Sequence, residues 1–239
     1  MIDLSYLRFA EPSGLVLICS EAERLAAQGH VDFTSPRNSE VANYLARMRL
    51  HEVLNELGIS HGLPRVRENG VGLGLLEIRR FSSTDAASKL AEHVHANLVS
   101  QNGDIAAAVY VGICEAGENV FRHSESSRGY AVAQTTHQGR SLRFAVADAG
   151  VGVLATLRNR GAETDSDALE LAMQEGISSY DDAGSGYGLS NLAGSLAKVR
   201  GGLTLLSGGA SRRHVGSQIH RGASMASIPG AILEGSALL

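Results

Sequence analysis

The chain has no surplus of basic residues, almost no cysteine and no long apolar run. Lysine and arginine number 21 against 25 aspartates and glutamates, a net charge of −4 over 239 residues. That balance argues against a protein built around nucleic-acid phosphates, which needs a concentrated positive face. Basic residues stand side by side only as isolated pairs, Arg212-Arg213 near the end and Arg79-Arg80, with no longer basic run. The two cysteines, Cys19 and Cys114, lie in apolar runs without metal-ligand spacing, so buried reduced thiols are expected rather than a disulfide or a zinc site. No basic segment followed by an apolar core opens the chain, and no run approaches the length of a membrane span. A soluble, cytoplasmic protein is the expectation. The length allows one large or two small domains, and there is no internal repeat.

What is present centres on residues 104–123. Ile105, Ala108, Val109, Gly112, Ile113, Ala116 and Val120 recur at helical spacing, which predicts a helix with one buried face opening near Asp104. Glu115 and Asn119, four apart, share another face, with His123 one turn further on. A carboxamide oxygen is a hard, neutral ligand suited to magnesium, and a carboxylate beside it can orient or deprotonate a nucleophile. Polar pairs at this spacing are commonly just the wet side of a helix, so the helix alone defines no site.

Two later stretches add to it. An apolar strand ending in Asp148 runs into Asp148-x-Gly150-x-Gly152, and Gly184-x-Gly186-x-Gly188-Leu189 opens another helix. A carboxylate at a strand end can accept from an exocyclic amine, and glycines after it let backbone approach a ligand. A glycine-rich turn leading into a helix presents free N–H groups to phosphates.

In this order and separation the three motifs resemble those of the GHKL ATPases, the group of gyrase, the ninety-kilodalton heat-shock chaperone, histidine kinases and MutL. The resemblance covers about residues 84–230. It implies a Bergerat-type two-layer α/β sandwich with a mixed sheet, binding ATP and Mg²⁺. By it Glu115 is the general base or water-positioner, Asn119 the magnesium ligand and Asp148 the adenine reader. Gly150 and Gly152 flank base and ribose, and Gly186 and Gly188 contact phosphates. His123, Gly184, Tyr187 and Leu189 complete the expected cofactor contacts. Glu118, about 100° around the helix from Asn119, gets no role. A glutamate four before the asparagine is the pattern of anti-sigma serine kinases and histidine kinases. The family's Gly-Thr pair entering the last strand, whose hydroxyl helps bind adenine, corresponds to Gly222-Ala223, so one bond to the base is expected to be lost or carried by water.

Residues 1–81 read as a separate small α/β domain resembling the STAS type, with partner binding or dimerisation as its preferred role. Its expected elements are a strand at 14–19, a helix opened by a Ser20/Glu23 capping box, a strand at 30–33, a helix over 39–57 and a strand at 71–81. The ATP-binding domain then spans 82–230. It begins with a helix capped by residues 82–84, in which His93 and His95 lack the acidic neighbour and downstream proline of a phospho-acceptor box and read as ordinary surface or core histidines. A hairpin at 129–148, a mobile lid at 153–183 with a helix at 167–174, a helix at 189–199 and strands at 203–206 and 223–228 follow. Residues 207–220 read as a loop and 231–239 as a loosely held tail.

The functional expectation is an ATP–magnesium regulatory protein whose nucleotide state controls lid closure and contact with a protein partner, with slow hydrolysis or phosphotransfer. The alternatives are an anti-sigma-type serine/threonine kinase and a nucleotide-free interaction module. A homodimer is a family-level expectation. Because the chain ends with the nucleotide fold, the following domain that supplies a phosphate-contacting lysine in gyrase and MutL proteins is not expected.

Overall fold

The computed structural model describes residues 1–66, 76–136, 139–174 and 187–239. Five strands form an antiparallel sheet: β3 (Leu76–Phe81), β4 (Gly129–Thr136), β5 (Ser141–Asp148), β6 (Gly202–Val215) and β7 (Gln218–Leu238). Their order across the sheet is β3-β4-β5-β7-β6. β1 (Ile2–Asp3) and β2 (Phe33–Thr34) make a separate short parallel pair. The expected mixed sheet is therefore antiparallel throughout its five strands.

Alternation along the central strands explains the layering. Ala131, Ala133, Leu142, Phe144, Val146, Leu205 and Leu233 lie in one buried cluster with α4 (Thr84–Leu98), α5 (Gly103–His123) and α8 (Gly188–Lys198). Tyr130, Val132, Ala145, Ala147 and Ile232 lie in a second cluster with α1 (Pro12–Ala26), α2 (Ser39–Arg47) and α3 (Leu50–Glu56). Side chains of period two that are apolar on both faces require cover on both. The N-terminal segment supplies the second cover, so the described sheet has helices on both faces, and residues from Ile2 to Leu63 lie in a core shared with the sheet.

Several local expectations change with it. Residues 14–19 are helical, not extended: Pro12 starts α1, where its missing N–H costs nothing, and the run is buried as part of a helix against the sheet. Ser20 sits inside that helix, its hydroxyl donating to the Leu17 carbonyl, and caps nothing. The helix expected over 39–57 breaks at Arg49, whose φ of 64° is left-handed, giving α2 and α3. Residues 71–75 of the expected third strand lie outside the described residues, as do 137 and 138 of the hairpin turn.

The largest corrections fall at the C-terminus. The expected loop at 207–220 is a β-ribbon, the outer part of β6 and β7, and the expected tail forms the inner part of β7, paired with β5 from Ala147↔Ile232 to Ser141↔Leu238. Residues 231–239 thus sit in the middle of the sheet, with Ile232, Leu233 and Ala237 buried. Ser207 pairs with Ala231 but Gly208 with Ile228, so Pro229 and Gly230 bulge out of β7. This bulge lies beside the end of β5, at the site described next.

Candidate functional site

α5 sets the first wall. Asn102, rather than Asp104, caps it, accepting from the Ile105 N–H at 3.1 Å. The seven residues expected on the apolar stripe are all buried. That anchoring leaves Glu115, Asn119 and His123 half-buried on the rim of a cavity of about 330 Å³. Asp148, at the end of β5, lies in the same cavity, as do Gly152, Tyr187, Gly188 and Leu189. The volume falls within the range usual for small-molecule sites. Gly184 and Gly186 lie outside the described residues.

Asp148 is 4% exposed. It accepts from the Gly150 N–H at 2.8 Å and from the Ala231 N–H. The Ser124 hydroxyl stands within reach of both Asp148 and the Val120 carbonyl, the latter at 2.6 Å, and its one proton serves one of them at a time. Burial outweighs these bonds and pushes the carboxyl up to about 6. With about four lone-pair positions and two firm backbone donors, the carboxylate keeps acceptor capacity for a ligand N–H.

The bulge is what brings the second backbone donor to Asp148. Gly230 has φ of 62°, and a side chain there would overlap the Asp148 carboxylate. Ser207 locks the bulge, donating to the Gly230 carbonyl at 2.6 Å and accepting from the Val153 N–H at 3.0 Å. This corrects the expected register of the last strand: Ala223 pairs with Ala210 on the outer ribbon, whereas Gly230 and Ala231 enter the sheet beside Asp148. The residue at that cavity position is still alanine, without a hydroxyl.

Of the two glycines after Asp148, Gly152 lines the cavity with φ of 80°. Gly150 instead packs on the Ser124 carbonyl, where any side chain would collide, and fastens the loop to the end of α5.

Glu115 and Asn119 make no hydrogen bond among the described residues. Burial, then the neighbouring Glu118, raises the Glu115 carboxyl above its ordinary range, against the pull of Arg122. Its Oε2 abuts Gly188, the first residue of α8, and a methyl at 188 would overlap it. The helix N-terminus favours a negative group there. Burial, then Arg122, holds His123 below the ordinary histidine range. A half-buried amide oxygen beside a carboxylate suits magnesium, which binds through few protein ligands when phosphates supply the rest.

Sequence reasoning missed Arg122, Ser124, Ser207 and Ala231. Arg122 and Glu118 pair at 2.9 Å on the cavity's rim, and their i, i+4 spacing was the available signal. Ser207 and Ala231 reach the site only through the bulge, which no local pattern announces.

The described part of the expected lid packs on itself and on the outer ribbon. α6 (Val153–Leu157) and α7 (Asp165–Ala172) pack together through Leu157, Ala162 and Ala168. Asp165 accepts from the Gly209 N–H at 2.8 Å, and Glu170 pairs with Arg212 at 3.1 Å and Arg221 at 2.6 Å, tying α7 to the outer ribbon. Val153, Thr156, Leu157 and Ala172 of this segment line the cavity, and 175–183 lie outside the described residues.

Away from the site, His93 is exposed and His95 stacks edge-on against Tyr110 on α5. Cys19 is buried and Cys114 half-buried, both as free thiols. No described helix is long and apolar enough to cross a membrane. No known family model, curated protein or solved structure matches the chain.

Proposed function

We propose that this cavity binds ATP with magnesium, and that the chain is a regulatory protein of the histidine-kinase-like ATPase type whose nucleotide state governs contact with a protein partner. The observation carrying this reading is the convergence of Asp148, Glu115 and Asn119, from two distant sequence motifs, on one cavity. In it Asp148 reads the adenine amine, Asn119 offers its amide oxygen to the magnesium, and the first turn of α8 receives phosphate oxygens. The bound ion would neutralise phosphate charge, and Glu115 would take a proton from the attacking group.

Glu115 also favours a second reading. A carboxylate held above its ordinary range, without a hydrogen-bond partner among the described residues, is equipped to accept a proton from a serine or threonine hydroxyl of a bound partner as readily as from water. That reaction would make the chain a protein serine/threonine kinase of the anti-sigma type.

Calorimetric titration of ATP, with and without magnesium, into the wild type and Asp148→Asn tests the shared premise. Magnesium-dependent binding that disappears in the variant is the expected result. Absence of binding to the wild type overturns the proposal and leaves an interaction module. With binding in hand, γ-labelled ATP separates the two readings: phosphate release alone marks a hydrolytic switch, and label on a co-purified protein marks a kinase.

A further inference from the structure

A second cavity, of about 590 Å³, lies in the N-terminal layer, on the face of the sheet opposite α5. α3 presents His51 and, one turn on, Asn55, and the following segment brings Ser60, His61 and Arg65. Among the described residues no carboxylate lines it. The rings of His51 and His61 stand 6.5 Å apart, centroid to centroid. The His61 Nδ1 accepts from the Leu63 N–H at 3.3 Å, so the proton of the neutral ring resides on Nε2, which is a donor. The His51 ring lines the cavity, and its Nδ1 is buried without a hydrogen-bond partner among the described residues. Arg65 is exposed and makes no ion pair among the described residues.

The Arg65 guanidinium and the His61 Nε2 are donors in this lining, and Asn55 and Ser60 can donate as well as accept. A cation is disfavoured: the protonated Nε2 of His61 cannot ligate, and the described residues place no carboxylate in the lining and hold no group of three or more His, Cys, Asp or Glu able to bind a metal. Leu63, Pro64 and Val66 add an apolar wall. We propose that this cavity binds a small molecule bearing an oxyanion, a phosphate or a carboxylate, through the Arg65 guanidinium and the rings of His51 and His61. An arginine fork with imidazole donors matches the geometry of such a group, and the charge-assisted bonds it makes are the strong ones.

Proton NMR of the histidine rings in the full chain tests this, with inorganic phosphate titrated into one sample and succinate into another. Saturable shifts at His51 and His61 are expected from at least one anion. Arg65→Gln, at an exposed position where folding is not at stake, should weaken that binding roughly tenfold. Response to phosphate alone assigns a phosphate compound, and response to succinate alone a carboxylate. Shifts confined to His123, shifts that never saturate, or equal affinity in Arg65→Gln would overturn the proposal. A shift at His123 reports on the ATP cavity and shifts at His51 and His61 on this one, so failure of either reading is told from failure of the other.

Discussion

Asp148 carries most of the chemistry at the residue scale, and its environment makes a pH prediction with a definite sign. Burial raises its carboxyl from 3.8 in the unfolded chain to about 6 in the fold. The folded state therefore holds the proton more tightly. Its contribution to stability is complete below the unfolded pKa and is lost as pH rises through about 6, a fall of up to ~3 kcal/mol. Thermal melts from pH 4 to 7 should show that slope, and Asp148→Asn should flatten it. The same variant should lose nucleotide binding by ~100-fold or more. Gly150 and Ala231 both point N–H groups at the side chain, so an amide must either turn its NH₂ toward a donor or rotate its oxygen away from the ligand. The side chains at the helical spacing of α5 and at the strand end were legible, because local period alone sets which face they share. Ser207 and Ala231 were not, because their place depends on a bulge between strands paired across a long ribbon.

At the scale of elements, the meeting of α5 and α8 predicts a separation of binding from turnover. Gly188→Ala puts a methyl where the Glu115 carboxylate lies, and the flexible carboxylate is what must yield. On the proposed reading, phosphate release or transfer should fall at least tenfold while the affinity assigned to Asp148 changes little. Single-turnover rates beside calorimetric affinities will show whether the two effects separate; an equal loss in both would place Glu115 outside the catalytic step. The ribbon yields a stability prediction. The Arg212 side chain is only 8% exposed, and Glu170 is its ion-pair partner across from α7. Removing the carboxylate leaves a buried cation uncompensated, so Glu170→Ala should cost about 2–4 kcal/mol in equilibrium unfolding and speed amide exchange in α7. The ribbon was read as a loop because Gly208, Gly209, Arg212, Arg213 and His214 supply no apolar alternation, and a two-stranded extension beyond the covered sheet does not need it. The run at 14–19 failed for the opposite reason: six nearly uniform apolar positions carry no period, and only Pro12 and the helix that continues after Ser20 identify it.

At the scale of the whole molecule, the core shared between the N-terminal layer and the sheet predicts that this layer does not detach as a separate regulatory domain. Leu15, Val16, Cys19, Leu45, Met48 and Leu54 share one cluster with Tyr130, Val132, Ala145, Ala147 and Ile232 of the sheet. Polar ties cross the same boundary. The Tyr130 hydroxyl donates to Glu23 at 2.6 Å, the Gln134 amide donates to the Tyr44 hydroxyl at 2.7 Å, and the Ile78 N–H donates to the Met48 carbonyl at 3.2 Å. Stripping residues 1–66 away would expose an apolar sheet face and leave these partners buried or wetted without their mates. Two consequences follow and can be measured together. The fragment 76–239 should fail to fold on its own, giving an aggregated or molten species rather than a working ATP-binding domain. The full chain should unfold in a single transition, with methyl NMR probes in α1 and in α5 losing intensity at the same denaturant midpoint. Two midpoints, with α1 melting first and the ATP response surviving, would restore the two-domain arrangement that the sequence alone suggests. The shared cluster argues against it, because burial of both faces of one sheet couples the layers on either side.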